Sequence, residues 1–208
     1  MTAKPLYQLV TLALALTVLI TLGTSIFALV MPLLDEQLLT TWQVVFDESS
    51  VTTVVSEQGW ALASNQGQLS IETNSFGFAL SRAVTILLIG GLIIHTLCWL
   101  REFIGTLSTG RPFQQNTPTL LKRVGVTLLV ISAVLYLEVF ARFYLFIPNA
   151  TDIAEFAFIY LKVSTSEGVF FIYPNVQWGL IVGGLFVLAI AQAFSLGVTI
   201  QTENDEFI

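Results

Sequence analysis

The chain has 208 residues, 55% of them hydrophobic and only 11% charged, with a net charge of -6. A soluble domain carries about a quarter of its residues as charged side chains, so this composition points to a membrane protein. The acidic balance without basic clustering argues against direct nucleic-acid binding; one cysteine and one histidine exclude an internal disulfide and a structural zinc site.

Residues Leu6 to Leu34 carry no charge, and that run exceeds the ~20 residues needed to cross a ~30 Å hydrocarbon core. It predicts a first span over about 6–33, closed by Pro32, Asp35 and Glu36. The run is too long for the h-region of a cleaved signal peptide, so an uncleaved helix is expected.

From 35 to 77 the texture changes. Gln43 to Phe46, Val51 to Val55 and Gln68 to Ile71 are β-branched or alternating runs, separated by Asp47-Glu48-Ser49-Ser50 and Ser64-Asn65-Gln66-Gly67. These are strand and turn signals. The segment has six acids and no Lys or Arg, so nothing in it opposes translocation. We expect a small extracytoplasmic β-rich insertion, too short for a core of its own, that packs on the second outer loop or on the membrane surface.

A second span is expected over 78–100, followed by a polar turn, 101–119, and a third span over 120–146. The stretch Arg101 to Arg123 holds four of the eight basic residues: Arg101, Arg111, Lys122 and Arg123. By the positive-inside rule it lies in the cytoplasm, with Lys122 and Arg123 as anchors at the start of the third span. Thr117-Pro118 reads as an N-cap followed by proline at the first helical position. The outer loop 147–176 begins at Pro148-Asn149; Asp152 to Leu161 is expected as a short helix opened by Asp152 with Glu155 three residues on, although Phe156, Phe158 and Tyr160 alternate as a strand would. A fourth span, 177–200, starts at Trp178 in the interfacial aromatic position and runs into the acidic tail 201–208. The expected fold is an all-α four-helix transmembrane bundle with a small β-containing extracytoplasmic segment, a single membrane domain with both termini cytoplasmic.

Two stretches carry a family resemblance. Gly110-Arg111-Pro112-Phe113-Gln114-Gln115-Asn116 with Leu121-Lys122-Arg123-Val124-Gly125, and the close from Leu185-Phe186 through Gln192 to Gly197 and Glu203-Asn204-Asp205-Glu206-Phe207-Ile208, resemble the loop signature and the ending of an uncharacterised bacterial four-span membrane family, domain of unknown function 2975. The acidic segment after the first span matches no part of that signature. The resemblance implies a bacterial cytoplasmic (inner) membrane location and a partner, since members of that family often lie beside a small helix-turn-helix regulator.

Charges within spans cost about 2.5–3.5 kcal/mol each on insertion scales, so Arg82, Glu138 and Arg142 need partners. With the inner face matched at Leu100 and Lys122, a ~1.5 Å rise per residue sets Arg82 about 27 Å up the second helix and Glu138 about 24 Å up the third. They are level, and Arg142 follows Glu138 by one turn. An intramembrane cluster of Arg82, Glu138 and Arg142 is therefore expected, as a stapling ion pair or as a proton or ligand relay.

His95 reads as a hydrogen-bonded packing residue before a metal or haem ligand, and Cys98 as an apolar filler before an acylation site. No metal or cofactor is expected. Gly179 and Gly183 form a GxxxG that fits close packing against Gly90 and Gly91, with a homo-oligomer face as the alternative. Arg111, Pro112 and Phe113 form either a tight turn or, with Phe207 and Ile208, a docking face for a cytoplasmic protein. The lipid bilayer is the other expected partner. The spans hold no paired carboxylates, Ser/His pair or ligand set, so the protein is read as non-enzymatic, a sensor or regulator relaying to a cytoplasmic partner. The alternative is a small transporter or ion-coupled carrier, disfavoured by the lack of a mid-span polar run or a broken helix.

Overall fold

A computed structural model describes residues 4–34, 36, 38–46, 52–55, 61–64, 66–73, 75–108, 116–146, 152–157, 159–165 and 168–206. Among the described residues four helices contain stretches of 26 to 32 residues that are long and apolar enough to cross a membrane. They are α1 (Lys4–Val30), continued by a 3-10 turn at Met31–Leu34, α2 (Phe76–Ser108), α3 (Thr117–Phe146) and α4 (Trp178–Glu206). Among the described residues seven strands lie between them: β1 (Leu38–Phe46), β2 (Thr52–Val55), β3 (Ala61–Ser64), β4 (Gln66–Thr73), β5 (Asp152–Ala157), β6 (Tyr160–Thr165) and β7 (Gly168–Ile172).

The chain divides into two compact bodies. The helical body comprises 1–27, 82–135 and 176–208, and the sheet-bearing body comprises 28–81 and 136–175.

In the helical body α3 is the most buried helix. Leu120, Leu121, Val124, Thr127 and Ile131 are all under 8% exposed and recur at three- and four-residue spacing, which gathers them on one face. The opposite character marks the outside of the bundle, where Leu12, Leu19, Val182 and Phe186 are each more than 60% exposed.

The sheet-bearing body is built on a five-stranded sheet of order β4-β1-β7-β6-β5. β1 pairs antiparallel with β4 from Leu38 opposite Thr73 to Val45 opposite Gln66. Its other edge pairs with β7, from Val44 opposite Ile172 to Phe46 opposite Phe170. β6 pairs with β7, bringing the fully buried Leu161 opposite Ile172. β5 closes the order with a register shift between Ile153 and Glu155. β2 and β3 form a separate two-stranded ribbon. The expected mutual packing of the two loops thus takes the form of one continuous sheet. Beside it, Leu38, Phe78 and Ala79 form a small core against Met31.

Three expectations need correction. Within Asp152 to Leu161, Asp152–Ala157 is strand β5 and Tyr160 and Leu161 open β6, because β5 pairs with β6 and β6 with β7, which supplies backbone partners that a lone capped helix would lack. α2 continues past Leu100 to Ser108, so the polar turn is shorter than its composition suggests. At α3 the first helical bond is Leu120 N–H to the Asn116 carbonyl at 3.1 Å, which makes Asn116 the cap and puts Pro118 at the second helical position. Proline is accommodated there because that N–H has no helical acceptor in any case. The Thr117 hydroxyl, expected to cap, is instead buried with no hydrogen-bond partner among the described residues.

Candidate functional site

Arg101 and Arg123, two of the basic residues named above, lie at one end of the helical body. Arg101, late in α2, donates from Nε to the Tyr7 hydroxyl at 2.8 Å and lies 4.8 Å over the Tyr7 ring. This joins α2 to the first turns of α1. Arg123, in the second turn of α3, lies 5.8 Å from the centroid of Trp99. Contacts of this kind are worth about 0.5–1 kcal/mol when exposed and ~2 when dry. At the same end Phe103 and Phe194 meet edge to face at 5.9 Å, joining α2 to α4. The sequence reading named the cations and missed their acceptors. Tyr7 and Trp99 flank apolar runs, the position where aromatic residues anchor helices, and that signal could have found them.

Between α3 and α4 lies a cavity of about 370 Å³ lined by Pro118, Thr119, Lys122, Leu188, Ala191, Gln192 and Ser195. It combines one cation, two hydroxyls, an amide and an apolar wall. Arg111, Pro112, Phe113, Phe207 and Ile208, the expected docking face, lie outside the described residues.

In the sheet-bearing body Glu138 and Arg142 form an ion pair one helical turn apart, with side chains 19% and 17% exposed. Arg142 also lies 5.9 Å from the Phe78 ring, itself 1% exposed at the start of α2. The pair is therefore tied to the small core by its cation. Arg82 is part-buried on α2 and belongs to the helical body.

The glycine expectation changes in its partners. A Cβ at Gly179, Gly183 or Gly91 would meet nothing within 4 Å among the described residues, so these three make no close packing contact there. Gly90 does pack closely, but on α1: a Cβ there would come within 2.9 Å of the Thr21 Cβ. The tight α3 to α4 crossing uses Gly125 and Gly184, where a Cβ on either would sit 2.9 Å from the carbonyl oxygen of the other. Moving from Gly183 to Gly184 turns the face by about 100° on a helix of 3.6 residues per turn.

His95 donates from Nδ1 to the Gly91 carbonyl at 3.0 Å and packs edge to face on Trp99 at 5.8 Å, as a hydrogen-bonded packing residue does. Cys98 is exposed on the same helix. Among the described residues no group of three or more His, Cys, Asp or Glu side chains is placed to hold a metal ion.

Comparison with known protein families, with curated proteins and with solved structures found no match.

Proposed function

We propose that this chain is a multi-pass protein of a bacterial cytoplasmic membrane that senses an outer or bilayer condition and relays it to a cytoplasmic protein. The observation that carries this reading is the shared sheet. β1 belongs to the segment between α1 and α2 and β7 to the segment between α3 and α4, yet they are hydrogen-bonded neighbours. Two segments in one sheet lie on one side of a bilayer, as they do when α2 and α3 both cross it. The exposed Leu, Ile, Val and Phe side chains on the four helices support the same reading, because each would forfeit about 1.5–3 kcal/mol if left in water.

The polar turn holds Arg101 and Arg111, with Lys122 and Arg123 next to it, whereas the two other inter-helix segments hold only the basic residue Lys162, so by the positive-inside rule the turn faces the cytoplasm, and the start of α1 and the end of α4 lie there with it. α2 and α3 are unbroken over 33 and 30 residues, so each can carry a displacement from its outer end to the basic turn. The recipient is a small soluble regulator of the helix-turn-helix kind, as the family resemblance implies, docked on Arg111, Pro112, Phe113 and the acidic tail with Phe207 and Ile208. Gly179 and Gly183, open within the chain, would serve a homo-oligomer contact. The Glu138 and Arg142 pair serves as a staple within α3.

Two measurements test the reading. In cells carrying a Cys98→Ser background, an impermeant maleimide should label Tyr173→Cys and leave Gln115→Cys untouched until the membrane is opened; label on Gln115→Cys in intact cells inverts the orientation. Purification from native membranes should yield a soluble regulator in fixed ratio, lost when residues 201–208 are removed. A preparation with no partner that instead supports substrate-dependent flux in liposomes would favour the carrier reading.

A further inference from the structure

The cavity between α3 and α4 has a chemistry that the relay leaves unused. Lys122, Thr119, Gln192 and Ser195 offer one positive charge and three neutral donors, while Leu188 and Ala191 offer an apolar wall. We propose that this cavity binds an anionic phospholipid, with the phosphate on Lys122 and the hydroxyls and the first acyl carbons along α4. The inference rests on the reading that the four helices span a bilayer.

Charge selects the headgroup. Lys122 is exposed and one residue from the Arg123 anchor, where a basic residue near a membrane surface attracts anionic lipid. Thr119 lies in the first turn of α3, before the first helical bond, so its N–H has no helical acceptor and adds a donor at the positive end of the helix. Shape selects a lipid over a soluble phosphate. Leu185 precedes Leu188 by three residues and Leu188 precedes Gln192 by four, which sets all three on one α4 stripe. Leu185 is 54% exposed, so the apolar wall continues out of the cavity along the helix. An acyl chain covers that stripe and a free phosphate leaves it bare. The volume of about 370 Å³ lies within the ~300–1,000 Å³ usual for small-ligand sites.

Native mass spectrometry of the full chain in detergent, offered equal amounts of phosphatidylglycerol and phosphatidylcholine, should show one phosphatidylglycerol retained in preference. Lys122→Gln should weaken retention about fivefold, the equivalent of one basic residue at a membrane surface. Ser195→Phe, an exposed position that fills the cavity without changing charge, should abolish the preference. Lys162→Gln, which removes the same charge in β6, should leave it intact. Equal retention by Ser195→Phe, or equal losses in Lys122→Gln and Lys162→Gln, overturns the site. Displacement of the lipid by an equal concentration of glycerol 3-phosphate overturns the choice of a lipid. If the chain is recovered from cells without detergent, the spanning reading itself fails, before any lipid is added.

Discussion

Gly125→Leu is expected to destabilise the helical body by about 3 kcal/mol or more, the upper range of overpacking in a filled interior. A Cβ on Gly125 would already sit 2.8 Å from Leu188 Cγ and 2.9 Å from the Gly184 carbonyl oxygen. Leu188 can rotate, but the carbonyl is backbone and cannot move without shifting α4. Gly184→Leu should do the same, since its Cβ would meet the Gly125 carbonyl oxygen at 2.9 Å and Leu129 Cγ at 3.1 Å. The double substitution should fall short of the sum, because both act on one crossing. Gly179→Ala and Gly183→Ala are the matched controls. Neither meets another atom, and alanine favours helix over glycine by up to about 1 kcal/mol, so thermal unfolding in detergent followed by helical circular dichroism should be unchanged or later. A loss at Gly183→Ala equal to that at Gly125→Leu would show that the wrong faces of α3 and α4 had been brought together.

Arg142→Leu is the second large effect expected, about 2–3 kcal/mol. Breaking a buried pair by removing one partner costs about 3–5 kcal/mol because it strands the other charge. The Glu138 and Arg142 side chains are 19% and 17% exposed, which lets water recover part of that. Arg142→Leu also removes the cation lying over Phe78. Glu138→Gln should cost less, about 1 kcal/mol, because the amide oxygen still accepts from the guanidinium. Replacing both residues by leucine should recover most of the loss, since an apolar pair of similar volume is often neutral. These are read from the midpoint of denaturant unfolding in detergent. A Glu138→Gln chain with full stability and undiminished partner recovery would leave the pair neither a staple nor a relay, and a double-leucine chain as weak as Arg142→Leu would remove the stranded charge as the cause.

The parts of this fold that depend on local chain properties were legible. Four apolar runs became four helices, and the β-branched runs Gln43 to Phe46, Val51 to Val55 and Gln68 to Ile71 fall within or overlap β1, β2 and β4. What escaped depends on neighbours distant in the chain. Asp152 and Glu155 have the spacing of a helix start, and Phe156 and Tyr160 that of a strand; β6 and β7 decide between them by supplying backbone partners. No window around Asp152 contains that information. The ribbon strand β3, Ala61–Ser64, has little β-branched character and was not foreseen for the same reason.

The candidate sites divide in the same way. The Glu138 to Arg142 pair is a four-residue spacing within one helix, so a short sequence window contains both partners. The glycine contact is a property of two helices. Gly179 and Gly183 supply the familiar spacing, but the partner surface on α3 presents Gly125, and that surface meets Gly184. The cavity was invisible for a stronger reason: Thr119 and Lys122 are separated from Gln192 and Ser195 by most of α3, the strands β5 to β7 and half of α4.

The strand order also sets a timetable for synthesis. β1 can meet β4 early, but its second neighbour, β7, is made about 120 residues later, an interval of roughly 6–24 s at about 5–20 residues per second. Until then Val44 to Phe46 presents an unfilled row of amides and carbonyls, and such an edge recruits other chains. The nascent protein therefore passes through a stage in which three helices are already made while its sheet-bearing body is still sticky. A chain stopped before Gly168 is held in that stage permanently, and its fate should be aggregation or proteolysis even though its first three helices are complete.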